Sequence, residues 1–151
     1  MTRPLPPWAP WEQLNAIGDA IEAATDLRRT DPLYVLGQPG SLLHRRYGYT
    51  LPSTTWGDAD LGVQPQPGGD LQAVDDVVLV VSHDIDPADH DASWRVAVTD
   101  VAAAIAALLA SPCRHWIRVV GGTSVPTVVG SRIEQRVTLS YRYYLKIPEA
   151  T

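Results

Sequence analysis

The chain has 151 residues, 45% of them hydrophobic and 19% charged, with 12 Lys+Arg against 17 Asp+Glu and a net charge of -5. That is one domain's length, too apolar for a disordered chain and too acidic for a generally basic nucleic-acid binder. Its single cysteine, Cys113, excludes an internal disulfide and a cysteine-based zinc site.

The first ten residues carry four prolines, at positions 4, 6, 7 and 10. They read as an extended, polyproline-like arm, with no apolar core of a secretory signal. A helix is expected over roughly residues 11–27. Trp11, Leu14, Ile17, Ile21 and Ala24 recur at three- and four-residue spacing, and Asp31-Pro32 sets its latest end. Residues 37–70 hold seven of the eleven glycines and read as a long Gly/Pro-rich insertion. Short strands are expected at residues 33–36 and 46–50, and turns near Gln38-Pro39-Gly40 and Gln66-Pro67-Gly68-Gly69.

Residues 76–82 form a β-branched run that predicts a buried or central strand. Asp86 is the expected N-cap of a second helix, with Pro87 at its first position. That helix should run to about residue 110, burying Trp94, Val98, Val101, Ile105 and Leu108. Its longest apolar stretch, residues 101–110, is too short to span a bilayer, so a soluble protein is expected. Short strands are expected at 116–120 and 125–129, with a turn at Gly121-Gly122-Thr123. The clearest signal runs from 133 to 147. Ile133, Val137, Leu139, Tyr141, Tyr143, Leu145 and Ile147 alternate with Glu134, Arg136, Thr138, Ser140, Arg142, Tyr144 and Lys146. Period-two alternation predicts a long strand of roughly 50 Å with one buried face, one end of it projecting. The fold class is therefore α+β. A single mixed or antiparallel sheet is packed by two helices, with residues 1–10 as an arm and 11–151 as one domain.

Chemical motifs give little. His83, Asp84, Asp86, Asp89, His90 and Asp91 are the densest set of possible metal ligands. Their spacing fails the calcium-loop pattern. A zinc or two-metal hydrolase built on His83, Asp84, Asp86 and His90 would need His44 or His115 to complete it. The plainer reading is a strand end leading into an acid-capped helix. Arg45-Arg46-Tyr47-Gly48-Tyr49 and Tyr141-Arg142-Tyr143-Tyr144 mix cations with rings, as stacking platforms do. The alternation places Tyr141 and Tyr143 in the core instead, and sequence-specific nucleic-acid binding is not expected. No nucleophile elbow or phosphate loop is present in the sequence, and no cofactor is expected.

Charge is uneven along the chain. Residues 71–113 hold 1 basic and 7 acidic residues, whereas residues 114–151 hold 6 and 2. This distribution fits either internal complementarity or two sides of an interface between subunits. Interface candidates are Trp8 and Trp11 at the arm-to-helix junction, the acids Asp86, Asp89 and Asp91, and Arg136, Arg142, Tyr144 and Lys146 on the last strand.

Taken in order, these elements resemble the tail terminator proteins of long-tailed bacteriophages. The similar stretches are residues 77–94, a strand leading through an Asp/Pro link into a helix with an early Trp94, and the closing Gln135-Arg136-Val137-Thr138-Leu139-Ser140-Tyr141-Arg142-Tyr143. The Pro-rich arm and the long 37–70 segment depart from compact members. The resemblance implies one sheet packed by two helices, and a hexameric ring at the head-proximal end of the tail tube. It implies partners in the major tail tube protein and head-side connector proteins, DNA passing through the ring, and a place in the virion. It implies no catalytic residues. A stopper or adaptor ring of the same neck is the related alternative. The basic face of the last strand would meet the acidic 71–113 unit of a neighbouring subunit.

Overall fold

The computed structural model describes residues 10–34, 44–56, 67–111, 117–120, 127–129 and 131–149, with side chains at all but 31–34, 70, 127–129, 145 and 146. The arm, including Trp8, lies outside the described residues. So do Cys113, His115 and the 121–123 turn.

Helix α1 spans Pro10–Ala24 and buries Gln13, Leu14, Ile17, Gly18 and Ile21. Complete burial of Leu14, Ile17 and Ile21 contributes about 2 kcal/mol each. The helix stops three residues short of expectation, because Thr25 turns back onto the carbonyl of Ile21 through both its N–H and its hydroxyl.

Strand β1, Arg28–Tyr34, begins well before the expected strand and passes through Pro32. It lies at the sheet edge, where a missing N–H is tolerated. Pro32 falls where its register with the parallel strand β2, Arg46–Tyr49, is interrupted. Strand β3, Ser53–Trp56, was not expected at all.

Strand β4 runs over Asp70–Asp84, twice the length of its β-branched run. Strand β7, Arg132–Lys146, pairs with it antiparallel at every position from Asp70↔Lys146 to Asp84↔Arg132. No end of β7 therefore projects, because its partner is equally long. The turn at Pro67-Gly68, with Gly68 at φ +80°, closes one end of this ladder. There the Gly68 N–H donates to the Ile147 carbonyl, and the Ile147 N–H to that of Gly69. Strands β5, Ile117–Val119, and β6, Thr127–Val129, pair with different stretches of β7. The order β1-β2-β4-β7-β5, with β3 on β4 and β6 on β7, makes a seven-stranded mixed sheet among the described residues. With the two helices this is the expected α+β architecture.

Helix α2 spans His90–Ala110. It starts later than expected because Asp86–Asp89 forms a turn of its own. Asp86 Oδ1 accepts from the Ala88 N–H at 2.8 Å, and its carbonyl accepts from Asp89 at 3.1 Å. Asp89 is the cap, taking the Ala92 N–H at 3.0 Å.

Both helices pack on one sheet face. The core joins Leu14, Ile17 and Ile21 of α1 and Val101, Ala104 and Leu108 of α2 to Val77, Leu79, Val81, Leu139 and the rings of Tyr47, Tyr49, Tyr141 and Tyr143. The expected stripe on α2 is corrected. Ala97, Asp100, Val101, Ala104 and Leu108 are buried, whereas Trp94 and Val98 are 40% and 43% exposed. Four tyrosines already fill the sheet side of that layer, so the helix presents small residues to it.

Candidate functional site

The sheet's second face carries no described helix. Along β7 it presents Arg136, Arg142 and Tyr144, and Arg142 and Tyr144 are exposed. Register sets Arg142 opposite Val74 and Tyr144 opposite Gln72, with Arg118 of β5 opposite Ser140. Lys146 stands opposite Asp70 at the ladder's end. The same face also carries Glu134, 4.0 Å from Arg136, and exposed Asp76 opposite Ser140, so its charge is mixed.

The acidic group also assembles, in another layer. Asp86, Asp89 and Asp91 are all exposed around the first turn of α2. Asp86 accepts from Ala88, Asp89 caps the helix, and Asp91 pairs with Arg95 at 2.9 Å. α2 lies on the core face of the sheet, and the arginine row lies on the opposite face. The two groups are not neighbours within one chain. Trp11, the second residue of α1, is 62% exposed, and two residues on Gln13 Nε2 donates to the Arg142 carbonyl at 2.7 Å.

The His83–Asp91 set does not converge as ligands. His83 faces the helices with its Nε2 on Asp100, Asp84 faces the other way and pairs with Arg132, and His90 is exposed at the start of α2. Among the described residues no three His, Cys, Asp or Glu side chains come together to hold a metal ion. The Arg-Tyr segments are not stacking platforms either, since Tyr47, Tyr49, Tyr141 and Tyr143 are all buried.

A polar cluster that sequence reasoning missed joins β4, α2 and the start of β2. Asp100 Oδ2 accepts from Arg45 Nε at 2.9 Å and lies 2.7 Å from His83 Nε2, and Oδ1 accepts from Arg45 Nη2 at 3.0 Å. Arg45 also reaches Asp26 at 3.3 Å. Its backbone is left-handed, φ +54°, which lets its N–H donate to the Ser82 carbonyl while its own carbonyl accepts from Arg28. Such a conformation costs about 1 kcal/mol or more.

Burial is the largest influence on both acid–base partners. It holds the His83 imidazole below its ordinary value, outweighing the attraction of Asp100. Burial works to raise Asp100, but hydrogen bonds from Arg45 and His83 outweigh it and keep the carboxyl low. Neutral His83 therefore donates from Nε2 to ionised Asp100. Its Nδ1 is enclosed without a partner. The ring is fully buried, so this dyad lacks the access to substrate that general-base chemistry requires. A groove of about 440 Å³ lies nearby, lined by His44, Arg45, Asp84, Asp86, Ser93 and Val96 among others. His83 does not line it. The one sequence signal for the cluster was Asp100, a charge amid an apolar helix.

A second buried carboxylate is structural. Asp75 accepts from Thr54 Oγ1 at 2.7 Å, Tyr143 Oη at 3.0 Å and Tyr141 Oη at 3.2 Å. These bonds satisfy a charge-bearing group that is 2% exposed.

No protein-family model and no curated protein matches the chain.

Proposed function

We propose that this chain is a structural subunit of a phage tail, a tail terminator. It forms a hexameric ring at the head-proximal end of the tail tube, ends tube polymerisation and offers the surface on which the head-side connector seats. DNA passes through the ring, and the subunit works by shape and contact, not by bond chemistry.

The observation that carries this reading is the separation of two unlike surfaces into different layers. The acids Asp86, Asp89 and Asp91 stand at the start of α2 on one side, and on the other lies a sheet face of mixed charge, with no described helix, that carries Arg118, Arg136 and Arg142 beside Asp76. A closed ring with head-to-tail contacts needs two different patches on each subunit. The order of elements and the α+β fold add support, since the family resemblance implies the same architecture.

The test combines mass measurement in solution with electron microscopy of tail tubes grown in the protein's presence. The expected result is a ring, either free or seated on one end of each tube, and tubes of bounded length. Tubes that grow on unchanged would sink the proposal. Binding to the portal-side connector but not to the tube would reassign the chain to a stopper or adaptor ring.

A further inference from the structure

Helix α2 is attached to the rest of the fold unevenly. Its second half buries Val101, Ala104 and Leu108 in the core, whereas among residues 90–99 Ala97 alone is buried. The side-chain hydrogen bonds of that first half stay within its own leading turn. Asp89 takes the Ala92 N–H, and Ser93 Oγ accepts from the Asp86 N–H and donates to the Asp89 carbonyl. Asp100 stands between the two halves. Its bonds to Arg45 and His83 are what tie the first half to the sheet.

That tie has one weak atom. His83 is fully buried, its Nε2 is committed to Asp100, and its Nδ1 meets no partner. Asp100 has no oxygen to spare for it. Oδ2 already takes Arg45 Nε and His83 Nε2, and Oδ1 takes Arg45 Nη2. From β7 come only uncharged residues, Ile133 opposite His83 and Gln135 next on the same face. The other charged and titratable neighbours are Arg45 and His44, with Asp26 reached through Arg45. A neutral ring leaves Nδ1 as a bare lone pair. Burying a cationic N–H there without an acceptor costs far more.

Water is close at hand. The groove of about 440 Å³ is lined by His44 and Arg45 from the strand side and by Ala92, Ser93 and Val96 from the first half of α2. The His44 ring stands edge-on to that of His83, with centroids 5.9 Å apart.

We infer that this joint is an acid-sensitive latch: a proton placed on Nδ1 of His83 releases the first half of α2 from the sheet, while the second half stays packed. The protonated ring keeps its bond to Asp100 but gains a buried N–H with no acceptor and a positive charge beside Arg45. Widening the groove gives that N–H water and exposes one buried side chain, Ala97. Nothing titratable holds the second half, whose buried side chains are all apolar. Burial keeps the closed ring below its ordinary value. The open form therefore takes the proton first and gains population as pH falls below about 6.5.

Amide hydrogen exchange on the whole chain, followed from about pH 7.5 to about pH 5 and corrected for the intrinsic effect of pH, tests the latch. Protection at residues 94–99 should fall by up to about tenfold per pH unit below about 6.5, the limit for one coupled proton. Protection at 105–108 and along β4 at 77–81 should hold. His83→Gln, whose amide can still donate to Asp100, should make residues 94–99 indifferent to pH. His44→Gln should keep the parent's response. In the parent, the NMR shift of the His83 Nδ1 nitrogen should move from that of a bare acceptor to that of a protonated nitrogen over the same range.

Unchanged protection at 94–99 down to about pH 5 overturns the inference. So does a loss that takes residues 105–108 and β4 with it at the same pH, since that is unfolding of the whole domain. A response kept by His83→Gln and lost by His44→Gln overturns it as well, by giving the proton to the other ring. If His83→Gln does not fold, the nitrogen shift in the parent decides. Nδ1 that stays bare while residues 94–99 open, or that is protonated while they stay protected, rules the latch out.

Discussion

The Oδ2 atom of Asp100 lies 2.7 Å from Nε2 of fully buried His83, and this contact fastens α2 to the central strand β4. Both groups sit below their ordinary pKa values in the folded chain. As pH falls below about 6.5, the unfolded chain takes up the histidine proton before the folded chain does. Stability therefore declines from there through the lower folded value of His83. It declines again below about 4, when Asp100 is forced to take a proton. Urea midpoints measured across pH should show both steps. His83→Gln should flatten the first one, and an unchanged slope would show that another group causes it. Asp100→Ala should cost about 2–4 kcal/mol at neutral pH, because it strands His83 and leaves Arg45 only the exposed Asp26. The lower end applies if water screens Arg45, whose side chain is 34% exposed.

Gly18 offers a test in which two effects oppose. Alanine in mid-helix would ordinarily gain about 1 kcal/mol. Here an added Cβ would meet the Arg29 guanidinium and stand 2.7 Å from the Tyr47 hydroxyl. Arg29 has a flexible end, but Tyr47 is a fully buried ring. Gly18→Ala should therefore destabilise by about 1–2 kcal/mol, as overpacking does. A higher urea midpoint would show that α1 shifts at little cost.

The Asp75 network should respond to its hydroxyls one at a time. Tyr143→Phe removes one of three donors and should cost about 1 kcal/mol. Removing Tyr141 and Tyr143 hydroxyls together should cost more than the sum, since Thr54 alone would then face a buried carboxylate. A double-mutant cycle on denaturant midpoints reads this coupling, and strict additivity would argue against a cooperative network.

Trp94 separates two views of α2. As a core residue its replacement by alanine would cost about 3–5 kcal/mol. At 40% exposure it should cost less, about 1–2 kcal/mol. A large drop in melting temperature at a concentration where the chain is monomeric would return Trp94 to the core.

How legible these features were in the sequence depended on contrast between neighbouring residues. β7 declared itself because apolar and polar residues alternate over its length, and α1 because polar residues flank a clean apolar stripe. α2 offers no such contrast: residues 101–110 are all apolar, so their spacing sets no phase. Asp100 was the marker of its inward side, readable only once its partners Arg45 and His83 were known. β4 was cut short at its start because Gln72 and Asp75 interrupt the apolar run, and Asp75 is buried only with help from β3 and β7. β3 itself, Ser-Thr-Thr-Trp, is short and largely exposed, and gives no hydrophobic period. The acids at the start of α2 and the cations of β7 were both legible in the sequence. That they occupy different layers is a matter of topology, which residue spacing does not encode.

The unbroken β4–β7 ladder also fixes an order of events in folding. Its two ends differ in the loop each must close. Asp84 and Arg132 are 48 residues apart, and every later pair is farther. Loop-closure entropy is smallest at that first pair. Pairing should therefore start beside α2 and zip toward Asp70 and Lys146, the slow, non-local step of this topology. Pulse-labelling hydrogen exchange during refolding should find the amides near Ser82 and Glu134 protected before those near Leu71 and Leu145. Because β4, β5 and β6 all pair with β7, the sheet cannot close until that strand is in place.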